Sequence, residues 1–272
     1  MTTKHELHES TRIDPVCPFI IHPWSNCSTV ISNWHSNIEI ICVVKGEISL
    51  KYDEEVMRMT EGELSVISSN VLHGINTDES NEYHCIIIDD RFCKDNGIDT
   101  DDVFFEKRFS CPATYDLCQS VAKRYSDCER QRTPITVAKL RSSVLSLLID
   151  VYENHRCPSS PKDNTNNNTS EQYVKNVISH LSDSYREKIT LDALAKMCGV
   201  SKCHLSREFK KYTGQTIMTY LNLLRCKKAQ SLIKEGYSIT SAAMSVGFDD
   251  LSYFSKTYKS LIGISPTQER NK

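Results

Sequence analysis

The chain has 272 residues, 39% of them hydrophobic and 25% charged, with a formal net charge of -2. That length holds two domains with separate cores, and the composition excludes disordered and membrane-embedded classes, because no apolar stretch approaches the roughly 20 residues that a bilayer span requires. The opening MTTKHELHESTRIDP has no apolar run behind a basic start, so export is not expected and a cytoplasmic location is.

From about residue 19 to residue 90 the chain is rich in β-branched and aromatic residues, as in IEIICVVKGEISLKYDEEVMRMTEGELSVIS, with turn residues at Lys45-Gly46, Asp53-Glu54 and Glu61-Gly62. Short strands at regular spacing indicate a β-sandwich or barrel. From Thr136 to His155 the period becomes helical, with Val137, Leu140, Val144, Leu147, Leu148 and Val151 on one stripe. That stripe packs against the strands or against a second copy of the chain. Arg141, Asp150 and Glu153 beside it favour the second arrangement, a homodimer. Residues 157–170, CPSSPKDNTNNNTS, read as a flexible linker. Beyond it every segment is helical: 171–184, 191–198, 202–213, 216–235, 239–246 and 251–261, then a turn after Pro266. Thr190, Ser201 and Asp250 are the expected N-caps, and Gly199, Gly214, Gly236, Gly247 and Gly263 stand where helices stop.

Residues 171–272 hold 16 Lys and Arg against 9 Asp and Glu, net +7, leaving net -9 in residues 1–170. A basic domain on a near-neutral chain is the footprint of a polyanionic partner. This basic half also contains a repeat. Laid over each other, LAKMCGVSKCHLSREFKKYTG and AAMSVGFDDLSYFSKTYKSLIG match Ala195 to Ala243 and Gly199 to Gly247. After one inserted residue they match Leu205 to Phe254, Arg207 to Lys256, Phe209 to Tyr258 and Gly214 to Gly263. A small residue where two helices cross, a glycine for the turn and a large apolar plug form the logic of a helix-turn-helix. Outward on the second helix of each copy are Lys202, Cys203, Ser206, Arg207 and Lys210, and Leu251, Ser252, Ser255, Lys256 and Lys259. These are side chains that reach base edges or phosphates from the major groove.

The twelve cysteines include no C-x-x-C pair, so reduced thiols are expected and Cys198, Cys203 and His204 read as helix surface, not as zinc ligands. No Ser-His-Asp order, P-loop, G-x-G-x-x-G or H-E-x-x-H occurs, and enzyme activity has no visible anchor.

Residues 189–270, through VGFDDLSYFSKTYKSLIGISP, resemble the DNA-binding domain of the AraC/XylS family of bacterial transcription regulators. That resemblance implies a double helix-turn-helix on double-stranded DNA near promoters, most often as an activator beside RNA polymerase. WHSNIEIICVVKG (34–46) and GELSVISSNVLH (62–73) resemble the two cupin motifs of the sensor domain of such regulators, with one imidazole of the first motif missing. Three readings stay open for His35, Glu39 and His73: a three-ligand metal site completed by water, a mouth that hydrogen-bonds a small-molecule effector, or capping of strand ends. Trp34 beside them stacks on a ligand or packs in the core. No cofactor is implied. The expected fold is α+β: a cupin-like β-barrel plus helices for effector sensing and dimerisation (1–156), a linker (157–170) and an all-α domain with two helix-turn-helix motifs (171–272).

Overall fold

The computed structural model describes residues 16–25, 30–77, 81–100, 103–157 and 165–271. The described residues divide into two compact units, 16–157 and 165–271.

In the first unit, β1 (Phe19–Ser25), β8 (Glu82–Ile88), β3 (Ile38–Lys45) and β6 (Leu64–Ile67) form one antiparallel sheet in that order. A second contains β2 (Val30–Asn33), β7 (His73–Thr77), β4 (Glu47–Tyr52) and β5 (Glu55–Thr60). Glycines with positive φ, Gly46 and Gly62, close the β3–β4 and β5–β6 turns, and Asp53 does so between β4 and β5, at the three places where turn residues cluster in the sequence. The burial patterns explain the layering. The first six residues of β3 are all buried, so its sheet is covered on both faces, whereas β4 alternates and offers one face to solvent. Ile41, Val43, Ile48, Leu50, Met59, Ile75 and Tyr83 fill the space between the sheets. Ile38, Ile40, Cys42, Leu64 and Val66 face the other way, onto helices. The expected closed barrel is therefore corrected to two four-stranded sheets face to face: among the described residues no ladder joins one sheet to the other.

The covering helices are α1 (Asp90–Asp95), α2 (Pro112–Arg130) and α3 (Pro134–Asn154). Thr133 opens α3 with a capping box and Pro134 stands at its first position. All six residues of the predicted stripe, Val137, Leu140, Val144, Leu147, Leu148 and Val151, are buried in the core that α2 and α3 share with the first sheet. That corrects the dimer reading of the stripe, because a chain's own core and a partner helix ask for the same periodicity and the core has taken it. Two-residue strands β9 (Phe104–Phe105) and β10 (Arg156–Cys157) pair with each other at the end of α3.

The second unit is helical: α4 (Thr165–Ser184), α5 (Leu191–Cys198), α6 (Lys202–Thr213), α7 (Ile217–Lys234), α8 (Ile239–Ser245), α9 (Leu251–Ile262) and α10 (Pro266–Arg270). Its boundaries follow local chemistry. Thr190, Ser201 and Asp250 accept from the backbone N–H three residues on, and Gly199, Gly214 and Gly263 cap in the left-handed region. The linker expectation is corrected at both ends. Residues 165–170 belong to α4 and Cys157 to β10, and the remaining residues 158–164 lie outside the described ones. Helix propagation adds one hydrogen bond per residue to a nucleus already formed, so the stripe of Val174, Val177, Ile178 and Leu181 carries its helix back into the polar run. Among the described residues no helix is long and apolar enough to cross a membrane.

Candidate functional site

The residues that the sequence singles out gather in two places, one in each unit.

In the second unit, α5–α6 and α8–α9 are the two helix-turn-helix copies. Ala195 and Ala243 are buried where the paired helices cross, Leu205 and Phe254 are fully buried plugs, and Gly199 and Gly247 turn the chain at φ 68° and 90°. A Cβ on Gly199 would meet nothing within 4 Å, but one on Gly247 would stand 2.6 Å from the Arg186 carbonyl oxygen. On α6 the Lys202, Cys203, Arg207 and Lys210 side chains are exposed and Ser206 is half-buried; on α9 Leu251, Ser252, Lys256 and Lys259 are exposed and Ser255 is half-buried. The inward residues of both helices are sequestered, so each predicted set does form one outward face. Lys202 is tied to Asp192 at 2.8 Å, and that hydrogen bond and charge raise its pKa. Arg207 donates from Nε to Glu208 Oε1 at 3.1 Å and from Nη2 to His204 Nδ1 at 3.0 Å.

Two residues of this surface escaped the sequence reading as members of the outward faces: His204 itself, and Tyr253, exposed at the matching position of α9, whose hydroxyl accepts from Asn222 Nδ2 at 2.9 Å. The helical period that named their neighbours could have found His204 and Tyr253. Cys198 lies apart from Cys203, its thiol 3.9 Å from the Tyr173 carbonyl, and Cys203 is exposed at the start of α6.

In the first unit, the sheets bring together His35, Glu39 and His73, whose donor atoms all lie within 4.8 Å of one another. Glu39 Oε2 is 3.1 Å from His35 Nε2 and 3.0 Å from His73 Nε2, and the Cys85 thiol donates to its other oxygen at 3.1 Å. Trp34, half-buried, stands outside this trio. Burial alone would raise the Glu39 pKa, but the His73 charge and hydrogen bonds from both imidazoles hold it well below 4.5. Burial likewise opposes charge on His73, whose partners Glu39, the Val71 carbonyl and Asp53 raise it above 6.5.

The proton positions constrain the chemistry further. His35 Nδ1 faces the Asn37 carbonyl and His73 Nδ1 faces the Val71 carbonyl. A carbonyl only accepts, so both Nδ1 atoms carry protons and both Nε2 atoms converge on Glu39. Backbone-anchored Nδ1–H groups with Nε2 turned inward are how imidazoles are held for a metal, and two imidazoles plus one carboxylate suit a divalent ion with open positions. Cys85 and Asn33 are the neighbours that sequence reading missed. Asn33 is the cross-strand partner of His73, and its Oδ1 is buried with no hydrogen-bond partner in the protein. Only strand register places them there, and register is not written in local sequence.

Residues 194–272 match the family of helix-turn-helix domains, and residues 19–89 match the family of cupin domains. The transcriptional regulatory protein HptR of Staphylococcus aureus is 31% identical over 97 residues, 36% of this chain and 38% of that protein. The transcriptional activator RhaS of Escherichia fergusonii is 35% identical over 98 residues, 36% of this chain and 35% of that one. The chain thus spans little more than a third of the length of these curated relatives. ToxT of Vibrio cholerae shares the fold over nearly the whole chain. An apo variant aligns at TM-score 0.53 with 14% identity, covering 93% of this chain and 97% of that one. Its unsaturated-fatty-acid-bound form aligns at 0.50 with 15% identity, covering 92% and 94%.

Proposed function

Since this chain joins an AraC-type helix-turn-helix domain to a cupin domain, we propose that it is a DNA-binding transcriptional regulator, an activator of promoters that works beside RNA polymerase in the cytoplasm. In this reading a small molecule held in the first unit controls it. The observation that carries the reading is the repeat: two copies of one helix pair, each with an exposed basic face on its second helix, in the positively charged half of the chain. Phosphate contacts from Lys202, Lys210, Lys211, Lys256 and Lys259 make affinity fall steeply with salt. Arg207→Ala weakens binding to the protein's own site by about 1–3 kcal/mol through a lost base contact, and Lys256→Ala weakens it uniformly across sequences with a shallower salt dependence. Gel shifts on that site check this, and wild-type affinity in both variants sinks the assigned faces, including Cys203, Ser206, Leu251, Ser252 and Ser255 beside them.

The effector is held beside Trp34, His35, Glu39 and His73, where Trp34 is half-buried and the Asn33 carbonyl oxygen, cross-strand from His73, has no hydrogen-bond partner in the protein, the combination of apolar surface and few polar handles that small-molecule sites use. ToxT, of the same fold, has been crystallised with a fatty acid. The sensing unit then ends at β10 and the DNA-binding unit begins with α4. A homodimer forms through the outward side of α3, where Ile135 and Ile149 are exposed. The chain acts by binding, not as an enzyme.

A second reading of the first unit follows from the anchored imidazoles: His35, Glu39 and His73 hold a divalent ion. Purified protein then carries close to one equivalent of iron, manganese or zinc by elemental analysis, and His35→Ala loses it. Metal-free protein from metal-replete cells excludes this reading and leaves the trio as a structural network.

A further inference from the structure

We infer that His204 is a positioning residue for DNA sequence readout: with Glu208 it aims the Arg207 guanidinium, so that α6 reads a guanine while α9 has no equivalent reader. This rests on the DNA-binding reading above and goes beyond it to which half of the protein carries base discrimination, and through which group.

Arg207 is 71% exposed yet held at two points, Nε on Glu208 Oε1 and Nη2 on His204 Nδ1. Glu208 is itself nearly buried, so one anchor is fixed to the body of the helix. The other anchor defines a protonation state. A guanidinium has only donors, so His204 Nδ1 accepts with its lone pair and any single ring proton is on Nε2. The imidazole is steadied in turn by an edge-on contact with the Tyr173 ring of α4, centroids 6.3 Å apart. Of the five guanidinium N–H groups, two are engaged and three remain, both on Nη1 and one on Nη2. Two parallel donors from such a fork match the O6 and N7 acceptors of guanine, the commonest specific contact in the major groove. A flexible exposed arginine loses rotamer entropy on making that contact; one already fixed at two points has less to lose.

The second copy has none of this. Lys256 stands where Arg207 does, and an ammonium is a point charge without a fork. The residue matching His204 is Tyr253, whose hydroxyl is engaged by Asn222 of α7. The α9 face thus offers charge for phosphates, and the guanine reader is on α6 alone.

The test is binding-site selection from random duplexes by the full-length protein, followed by affinities for the selected site and its single base-pair variants. His204→Phe keeps the ring packing on Tyr173 and removes the acceptor; His204→Gln keeps an acceptor; Arg207→Lys keeps the charge and removes the fork. The expected result is one G·C pair whose preference drops about fivefold or more in His204→Phe and in Arg207→Lys, and is largely restored in His204→Gln. Affinity for random duplex and its salt dependence stay unchanged in both His204 variants. If His204→Phe retains full preference at every position, or Arg207→Lys loses affinity uniformly over all sequences, the inference is overturned. A wild-type protein that selects no sequence at all overturns the regulator reading instead.

Discussion

Gly247→Ala is expected to destabilise the C-terminal unit by about 2–4 kcal/mol and to abolish specific DNA binding at growth temperature, whereas Gly199→Ala at the matching position of the first copy costs about 1 kcal/mol. Both glycines have positive φ, so a side chain at either meets the steric cost of the left-handed region. Only at Gly247 does the new Cβ also run into backbone, 2.6 Å from the Arg186 oxygen and 2.9 Å from its carbonyl carbon. Backbone cannot swing aside as the end of a side chain can, so either the turn or the α4–α5 connection must move. The α4–α5 connection is itself held by Arg225, which donates to the Tyr185 and Glu187 carbonyls at 2.7 and 2.8 Å. Thermal unfolding followed by far-ultraviolet circular dichroism decides the matter. Equal losses in the two variants would show that left-handed strain alone is at work.

Glu39→Gln is the second large effect, expected at about 3 kcal/mol in the N-terminal unit. Removing one member of a buried charged pair typically costs 3–5 kcal/mol, and His73 recovers part of this by giving up its proton. Both tryptophans of the chain, Trp24 and Trp34, belong to this unit, so tryptophan fluorescence during chemical unfolding isolates its transition. The pH dependence carries a sign for each partner. Glu39 is depressed in the folded state, so its contribution is present above 4.5 and is lost as pH falls through its lower folded value. His73 is raised, so its contribution is complete below 6.5 and is lost as pH rises through its higher folded value. The wild-type unit is therefore best supported by this pair between pH 4.5 and 6.5, and Glu39→Gln flattens the profile on both sides. An unchanged profile in the variant would mean that the pair does not couple to folding.

The helical half was legible in the sequence almost residue by residue, because caps and C-terminal glycines are local signals. Thr190, Ser201 and Asp250 begin helices where expected, and Gly199, Gly214 and Gly263 end them. The outward faces of α6 and α9 followed from helical period for the same reason. The first unit was legible only in part. Strands and turns could be read locally, but whether eight strands close or stack depends on which edges pair, and β2 joining β7 while β1 joins β8 is a long-range outcome. The stripe on α3 shows the same limit from another direction, since its period states that one face is buried and not by what. His35 and Glu39 are four residues apart and stand together in the sequence. His73 comes from 34 positions beyond Glu39, and Cys85 from 46 beyond it with no motif around it, so the thiol against the carboxylate became visible only in three dimensions.

The 18-residue α7 packs against α6 on one side and against α8 and α9 on the other, with Phe209 of α6 edge-on to Tyr220 at 5.5 Å. A single residue inserted into that shaft would rotate everything beyond it by about 100° and advance it by about 1.5 Å, turning the exposed face of α9 out of phase with that of α6. On the proposed DNA-binding reading, length changes in α7 are thus nearly forbidden, and variation between related sites is steered toward base identity within each half and away from the spacing of the halves.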